Sequence, residues 1–281
     1  MNVTFVHRGG PVMASYRYRC EIPGRELEKH GHTVEFNGGE AHVCVFSKPV
    51  LNDLTVAKIA KDNGCVIVAD IGDDHFDHEE MGYIYQQMLR IADQSVAPTA
   101  VMAEKHKQYT DIEPIVIPDP YELPRVPPHA NGDKMMWFGG NWNLKDIRPY
   151  LDSLPELTIV TGPEVHPLTN WIQWSPEAQA EALLNHNLVL LPHRPGVEYK
   201  TANRLINAIQ AGCFPICDPH PSYDEFEDFI WTSGVATGLR WAQENRLMLN
   251  DNLDKAQAYV EKNYSPEVIG NKWNDLISNF T

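Results

Sequence analysis

Residues Lys200–Cys217 read KTANRLINAIQAGCFPIC, and the stretch shows how the whole chain is built. Leu205, Ala208 and Ile209 recur at helical spacing and form one apolar stripe. Thr201 is placed to cap that helix and Gly212 to stop it. Phe214–Cys217 then follows as a strand without a polar position. A strand apolar on both faces belongs in a parallel sheet covered by helices on both sides. The same alternation extends upstream: strand 188–191, helix 177–184 entered through Ser175 and Pro176, strand 157–161 ending at Gly162, helix 143–151, and strand 134–138 opening on Gly139-Gly140. Downstream, helical segments 238–263 and 266–280 finish the chain.

The first half repeats the pattern. Strand 3–6 runs into a turn at Gly9-Gly10-Pro11. Pro23 sits where a helix would begin and Gly31 where it would stop. Strands 33–36 and 42–46, helix 53–63 and the apolar strand 65–69 follow. That last strand discharges into Asp70-Ile71-Gly72-Asp73-Asp74-His75. Helix 83–92 and strands 94–97 and 114–117 complete the set. The proline-rich stretch 123–132 reads as a linker. The expectation is α/β, with two Rossmann-like parallel-sheet domains, 1–125 and 131–265, and a last helix, 266–281, that packs back on the first.

The composition excludes several classes. No run of about 18 apolar residues is present, which predicts no membrane span. Met1 to Arg8 lacks the basic-then-apolar order of a signal peptide. The five cysteines are scattered and form no Cys-x-x-Cys pair, so reduced thiols in a cytoplasmic protein are expected, not a zinc site. A net charge of −15 opposes non-specific binding to polyanions. Arg8, Arg17, Arg19 and Arg25 nevertheless cluster near the start.

In open α/β sheets, ligands bind beyond the carboxyl ends of the strands. This selects His7, Arg8, Gly9 and Gly10, then Asp70, Asp73, Asp74 and His75, in the first half. In the second it selects Gly139, Gly140, Asn141, Gly162, His193, Arg194 and the run Lys200-Thr201-Ala202-Asn203-Arg204. A lysine at a helix start, where backbone N–H groups are unsatisfied, suits a phosphate; the plainer reading is a solvated lysine beside an ordinary cap. Gly9-Gly10 permits close backbone approach but is not the G-x-G-x-x-G fingerprint of a nicotinamide dinucleotide. Asp73, Asp74 and His75 could supply a base for an acceptor hydroxyl, or form only a polar loop. His78 and Glu79 lie near, without trusted metal-ligand spacing. Trp171 and Trp174 could flank a base or sugar ring, or belong to the core. Arg194 is a candidate for phosphate contact.

The chain resembles the GT-B glycosyltransferases of the large retaining "group 1" family, in particular a compact set with a Lys-x-x-Asn-Arg donor-site helix. KTANRLINAIQAGCFPIC, MMWFGGNWN and WSPEAQAEALLNHNLVLLP carry the likeness in the second half, and YRYRCEIPGRELEKHGHTVEF, VIVADIGDDHF, ADQSVAPTAVMAE and IVIPDPYE in the first. The resemblance implies two domains facing across a cleft, with the nucleoside diphosphate on the C-terminal one. It implies Lys200 near the diphosphate or sugar, residues 172–174 beside the nucleobase, and Gly9-Gly10 close to the donor phosphates. It also implies a last helix that crosses back, and chemistry without a metal or cofactor. Larger relatives carry two glutamates eight positions apart where this chain has Tyr199 and Asn207.

The function expected on this basis is transfer of a hexose or pentose from a nucleoside-diphosphate sugar, UDP by analogy, to an acceptor hydroxyl, with retention. The catalytic candidates are Asp73, Asp74, His75 and Lys200. The donor-binding candidates are Gly9, Gly10, Gly139, Gly140, Trp174, His193, Arg194, Lys200, Thr201, Asn203 and Arg204. Arg8, Arg17 and Arg19 are the acceptor-side candidates, and the acceptor is a glycan, another hydroxyl compound or a modified DNA base. A nucleotide-sugar epimerase and a non-catalytic binding protein are the alternatives.

Overall fold

The structure, a computed structural model, describes residues 1–162 and 170–280. The chain forms two compact units. The first is Met1–Glu122, the short strap Tyr199–Thr201, and the chain from Tyr264 onward. The second is Leu123–Glu198 with Ala202–Asn263.

The first unit holds a six-stranded parallel sheet. Its strands are β1 (Asn2–Val6), β2 (Thr33–Phe36), β3 (Val43–Ser47), β4 (Val66–Asp70), β5 (Gln94–Ala97) and β6 (Ile115–Val116), in the order β2-β1-β3-β4-β5-β6. The order reverses between β1 and β3, which pair from Val3–Val43 to Val6–Phe46. Period-two alternation along the strands divides the core into two layers. Val3, Phe5, Val43, Val45, Val68 and Val96 face one layer, with Ile269, Trp273, Leu276 and Ile277 of the last helix, Pro266–Ser278. Val6, Cys44, Phe46, Ile67, Ala69 and Ala97 face the other, against Ile84, Tyr85, Met88 and Leu89 of the helix Glu79–Ile91.

The second unit holds a five-stranded parallel sheet. Its strands are β7 (Met135–Phe138), β8 (Thr158–Thr161), β9 (Trp171–Gln173), β10 (Leu188–Leu191) and β11 (Phe214–Cys217), in the order β11-β10-β7-β8-β9. Here the order reverses between β7 and β10.

Several local expectations are corrected. The first helix starts at Ala14, well before Pro23, and passes through a π-helical turn, Arg17–Glu21. That turn accommodates an extra residue, and Tyr18, Arg19 and Cys20 are all buried along it. Segment 143–151 breaks into short turns, Asn141–Asn143, Leu144–Ile147 and Arg148–Tyr150, because Pro149 cannot continue an α-helix. Helix 238–263 is two helices, Val235–Glu244 and Arg246–Tyr264. Thr201 does not cap the helix Asn203–Gln210, whose N-cap, Ala202, makes no side-chain bond. The thiols of Cys44 and Cys213 are each pushed up to about 12 by burial, which keeps them protonated. Among the described residues no helix is long and apolar enough to cross a membrane.

Candidate functional site

At the carboxyl edge of the first sheet, β1 delivers His7, which is buried. Its Nδ1 lies 2.9 Å from the Gly9 N and 3.1 Å from the Gly9 O. Its Nε2 lies 3.0 Å from Ser15 Oγ, so both ring nitrogens have a partner. Burial lowers the His7 pKa and keeps the ring neutral. Gly9 is closely packed: a Cβ there would lie 2.0 Å from Met13 Sδ, at the end of a side chain that can move, and 2.9 Å from the His7 ring. Gly10 is exposed, with open space around it. Arg8 pairs with the buried Asp53 and leaves its side chain 44% exposed.

β3 and β4 add a charged row. Lys48 Nζ lies 2.7 Å from Asp73. Burial works to raise the Asp73 pKa, but Lys48, then Lys200 and His75, outweigh it and hold the carboxyl below its usual range. Asp73 is therefore an anion that two lysines share, and a weak base at neutral pH. Lys105 Nζ sits 4.0 Å from Asp74 and 3.6 Å from Asp77. One Asp74 oxygen is buried without a hydrogen bond. His75 is exposed.

Lys200 and Thr201 pack with this edge, as part of the strap Tyr199–Thr201. This departs from the expectation that puts them in the second domain. Below the strap lies a buried ion cluster that sequence reasoning missed. The Arg19 guanidinium donates to both Asp70 oxygens, to Ile117 O at 2.6 Å and to Asp119 at 3.3 Å. Its side chain is 5% exposed, and those of Asp70 and Asp119 are 1% and 7%. Arg19, an acceptor-side candidate, is thus buried among internal partners. Arg17 is likewise committed, to Glu122 at 2.6 Å and Pro11 O at 2.8 Å.

In the second unit, Gly139 and Gly140 follow β7. A Cβ on Gly139 would meet the Trp137 ring at 2.9 Å, and one on Gly140 the Trp142 ring at 2.6 Å. Trp142 is itself 70% exposed at this edge, an aromatic surface the sequence reading passed over. Thr161 Oγ1 donates to Gly139 O at 2.8 Å and fixes the loop. Arg204, from the start of the helix Asn203–Gln210, donates to Phe138 O at 3.3 Å and lies over the Trp137 ring. Asn203 O accepts from the buried Asn207 at 2.7 Å. After β10, the His193 ring lies against that of His220, tilted by 36° with centroids 4.5 Å apart, and bonds Tyr223 Oη at 2.9 Å. Arg194 is ion-paired to the buried Asp146. Trp174 donates to Gln179 at 2.8 Å. Glycine-opened loops and cationic groups at the reversal of strand order form the usual ligand position of open α/β sheets. Both units have this arrangement. Among the described residues no group of three His, Cys, Asp or Glu side chains is placed to hold a metal ion.

No family model and no curated protein matches the sequence. Solved structures do match the fold. Anabaena HepE, in complex with UDP-glucose, aligns with a TM-score of 0.77 at 12% identity, over 99% of this chain and 100% of that one. An alpha-glucosyltransferase bound to UDP-glucose and DNA containing an abasic site aligns with a TM-score of 0.63 at 10% identity, over 99% of each chain. The UDP-GlcNAc 2-epimerase from Neisseria meningitidis, bound to UDP-GlcNAc, aligns with a TM-score of 0.59 at 9% identity, over 99% of this chain and 100% of that one. With its two parallel α/β sheets of six and five strands, the chain has the GT-B fold.

Proposed function

We propose that this chain is a glycosyltransferase that takes its sugar from a UDP-sugar and passes it to an acceptor hydroxyl with retention. The observation that carries the reading is the end-to-end likeness to a UDP-glucose-bound structure, joined to a lysine-bearing strap at a sheet edge built for ligands. In this reading domain 1–125 is the acceptor side and 131–265 the donor side. Lys200 offsets the charge of the departing diphosphate, as fixed cationic groups do for a developing anion. Gly9, Gly139 and Gly140 allow close backbone approach to phosphate. Arg204 and the start of its helix add positive potential, and Trp174 lies beside the uracil. Asp73, held as an anion by its lysines, orients Lys48 and Lys200 and does not act as the base. Retention needs no protein base, because the acceptor attacks on the face the diphosphate leaves. A glycan or other small hydroxyl compound is favoured over DNA as acceptor. The net charge is −15, and Arg17 and Arg19 are committed internally, which leaves fewer cations for the phosphate contacts DNA would need.

Calorimetric titration with UDP, GDP, ADP and NAD tests the reading. UDP is expected to bind selectively and more weakly to Lys200→Ala; binding of none, or of NAD alone, overturns it. The epimerase likeness supports a second reading. Incubation with UDP-GlcNAc and no acceptor separates the two: an epimerase converts the sugar while it stays on UDP, and a transferase does not.

A further inference from the structure

β1 and β3 lie side by side where the strand order of the first sheet reverses, and they pair as far as Val6–Phe46. Arg8 and Lys48 each follow that last pair by two residues. Two cationic side chains thus leave neighbouring strands at the edge where open α/β sheets take their ligands. Both are held in place. Asp53, in the first turn of the helix Leu51–Asp62, accepts from Arg8 Nε at 2.8 Å through one oxygen and from the Val50 N–H at 2.9 Å through the other. Arg8 is thereby tied to the turn that follows Lys48. Lys48 Nζ is held 2.7 Å from Asp73, beyond β4.

Two features set this pair apart from the buried arginines. The first is exposure. The Arg8 and Lys48 side chains are 44% and 30% exposed, where Arg19 keeps 5%. One carboxylate partner leaves donors over on a guanidinium with five N–H groups and an ammonium with three. The second is the backbone. Lys48 has a φ of 52°, in the left-handed region, which strains a residue with a side chain and which glycine adopts freely. Asn37, at a φ of 60°, belongs to the few types that tolerate it; lysine does not. An ion pair as exposed as Lys48–Asp73 contributes little to stability, so it does not offset the strain. Strain of this kind collects where a side chain is aimed at a ligand.

We propose that Arg8 and Lys48 form an oxyanion site on the first unit that takes a phosphate or carboxylate group carried by the acceptor. The word acceptor rests on the proposed role of domain 1–125; the site itself rests on the two cations. Two cations that already carry carboxylate partners suit one such group and not the run of phosphates on a duplex.

The test uses UDP-loaded protein as wild type, Lys48→Gln and Lys48→Arg. Each is titrated with sodium phosphate and with sodium acetate, against sodium chloride at equal ionic strength. Thermal unfolding reads anion binding as a concentration-dependent rise in Tm, and calorimetry reads UDP affinity. Phosphate also stabilises folded proteins in general, so the difference between variants is the readout. Wild type is expected to respond to phosphate or acetate, and the anion effective at the lower concentration names the group on the acceptor. Lys48→Gln should need about tenfold more anion for the same rise, one lost charge-assisted hydrogen bond, with UDP affinity within about twofold of wild type. Lys48→Arg, which keeps the charge, restores the response. An equal rise in wild type and Lys48→Gln, or none in either, overturns the inference and leaves the donor reading in place. A tenfold loss of UDP affinity in Lys48→Gln also overturns it, because the lysine is then a donor contact. A wild-type protein that binds no UDP overturns the donor reading and, with it, the acceptor role of the site.

Discussion

Arg19 shows how far a single residue can depart from its sequence neighbourhood. Four arginines in the first 25 residues read as a basic surface, but the partners of Arg19 lie 51 and 100 positions away. Nothing local marks that pairing. Arg19→Ala would leave Asp70 and Asp119 buried without their cation, and is expected to destabilise the protein by about 3–5 kcal/mol in denaturant unfolding. Lys200→Ala should instead leave stability nearly unchanged and weaken UDP binding by roughly ten- to a hundredfold in calorimetry, the range of a hydrogen bond to a charged group. His106 supplies a pH signature. It is fully buried, with Nε2 donating to Ile71 O at 3.1 Å and Nδ1 bonded to Ser95 Oγ at 2.8 Å. Desolvation lowers its pKa from 6.5 to about 4. The unfolded chain therefore binds a proton first as pH falls. Stability from this group is complete above about pH 6.5 and declines toward pH 4, by about 3 kcal/mol in all. Urea midpoints between pH 7 and 4.5 should fall in wild type and less steeply in His106→Gln.

At the scale of elements, the strands were the legible part. Runs such as Val66–Asp70 and Leu188–Leu191 are apolar on both faces and admit little but a covered parallel sheet. The Ser-Pro start at Ser175 was equally informative, since the serine caps its helix through an N–H three residues on. β9 escaped because three residues, Trp171–Gln173, are too few to set a period. The π-helical turn at Arg17–Glu21 escaped because an extra residue per turn leaves no composition signal. The strap escaped for a different reason. Lys200 adjoins a helix of the second unit in sequence, and only long-range packing assigns it to the first. The same sequence adjacency makes Thr201 read as a cap, although the N-cap of that helix is Ala202. The last helix carries much of the first unit's packing: Trp273 is fully buried, with its ring against Phe5 at 5.8 Å. Trp273→Ala is expected to cost about 3–5 kcal/mol, read from the shift of the urea midpoint at unchanged slope.

For the molecule as a whole, ligand linkage offers a check that needs no acceptor. If UDP binds only the native state, its addition at about a hundred times Kd should add about 2.7 kcal/mol of stability. A thermal scan would show this as a concentration-dependent rise in Tm, absent with NAD. The charge of −15 leads to the matching expectation that duplex DNA shows no salt-sensitive binding even at low ionic strength.

The three-part make-up of the first unit also bears on synthesis. A ribosome that has released residues 1–122 has delivered every strand of the first sheet but not the helix Pro266–Ser278 that covers one of its faces. The unit that starts the chain is therefore the last to be completed. Its nascent form carries a partly uncovered layer of valines and Phe5 for more than 140 further residues of elongation, a task for chaperones that the second unit, continuous but for the strap, does not impose.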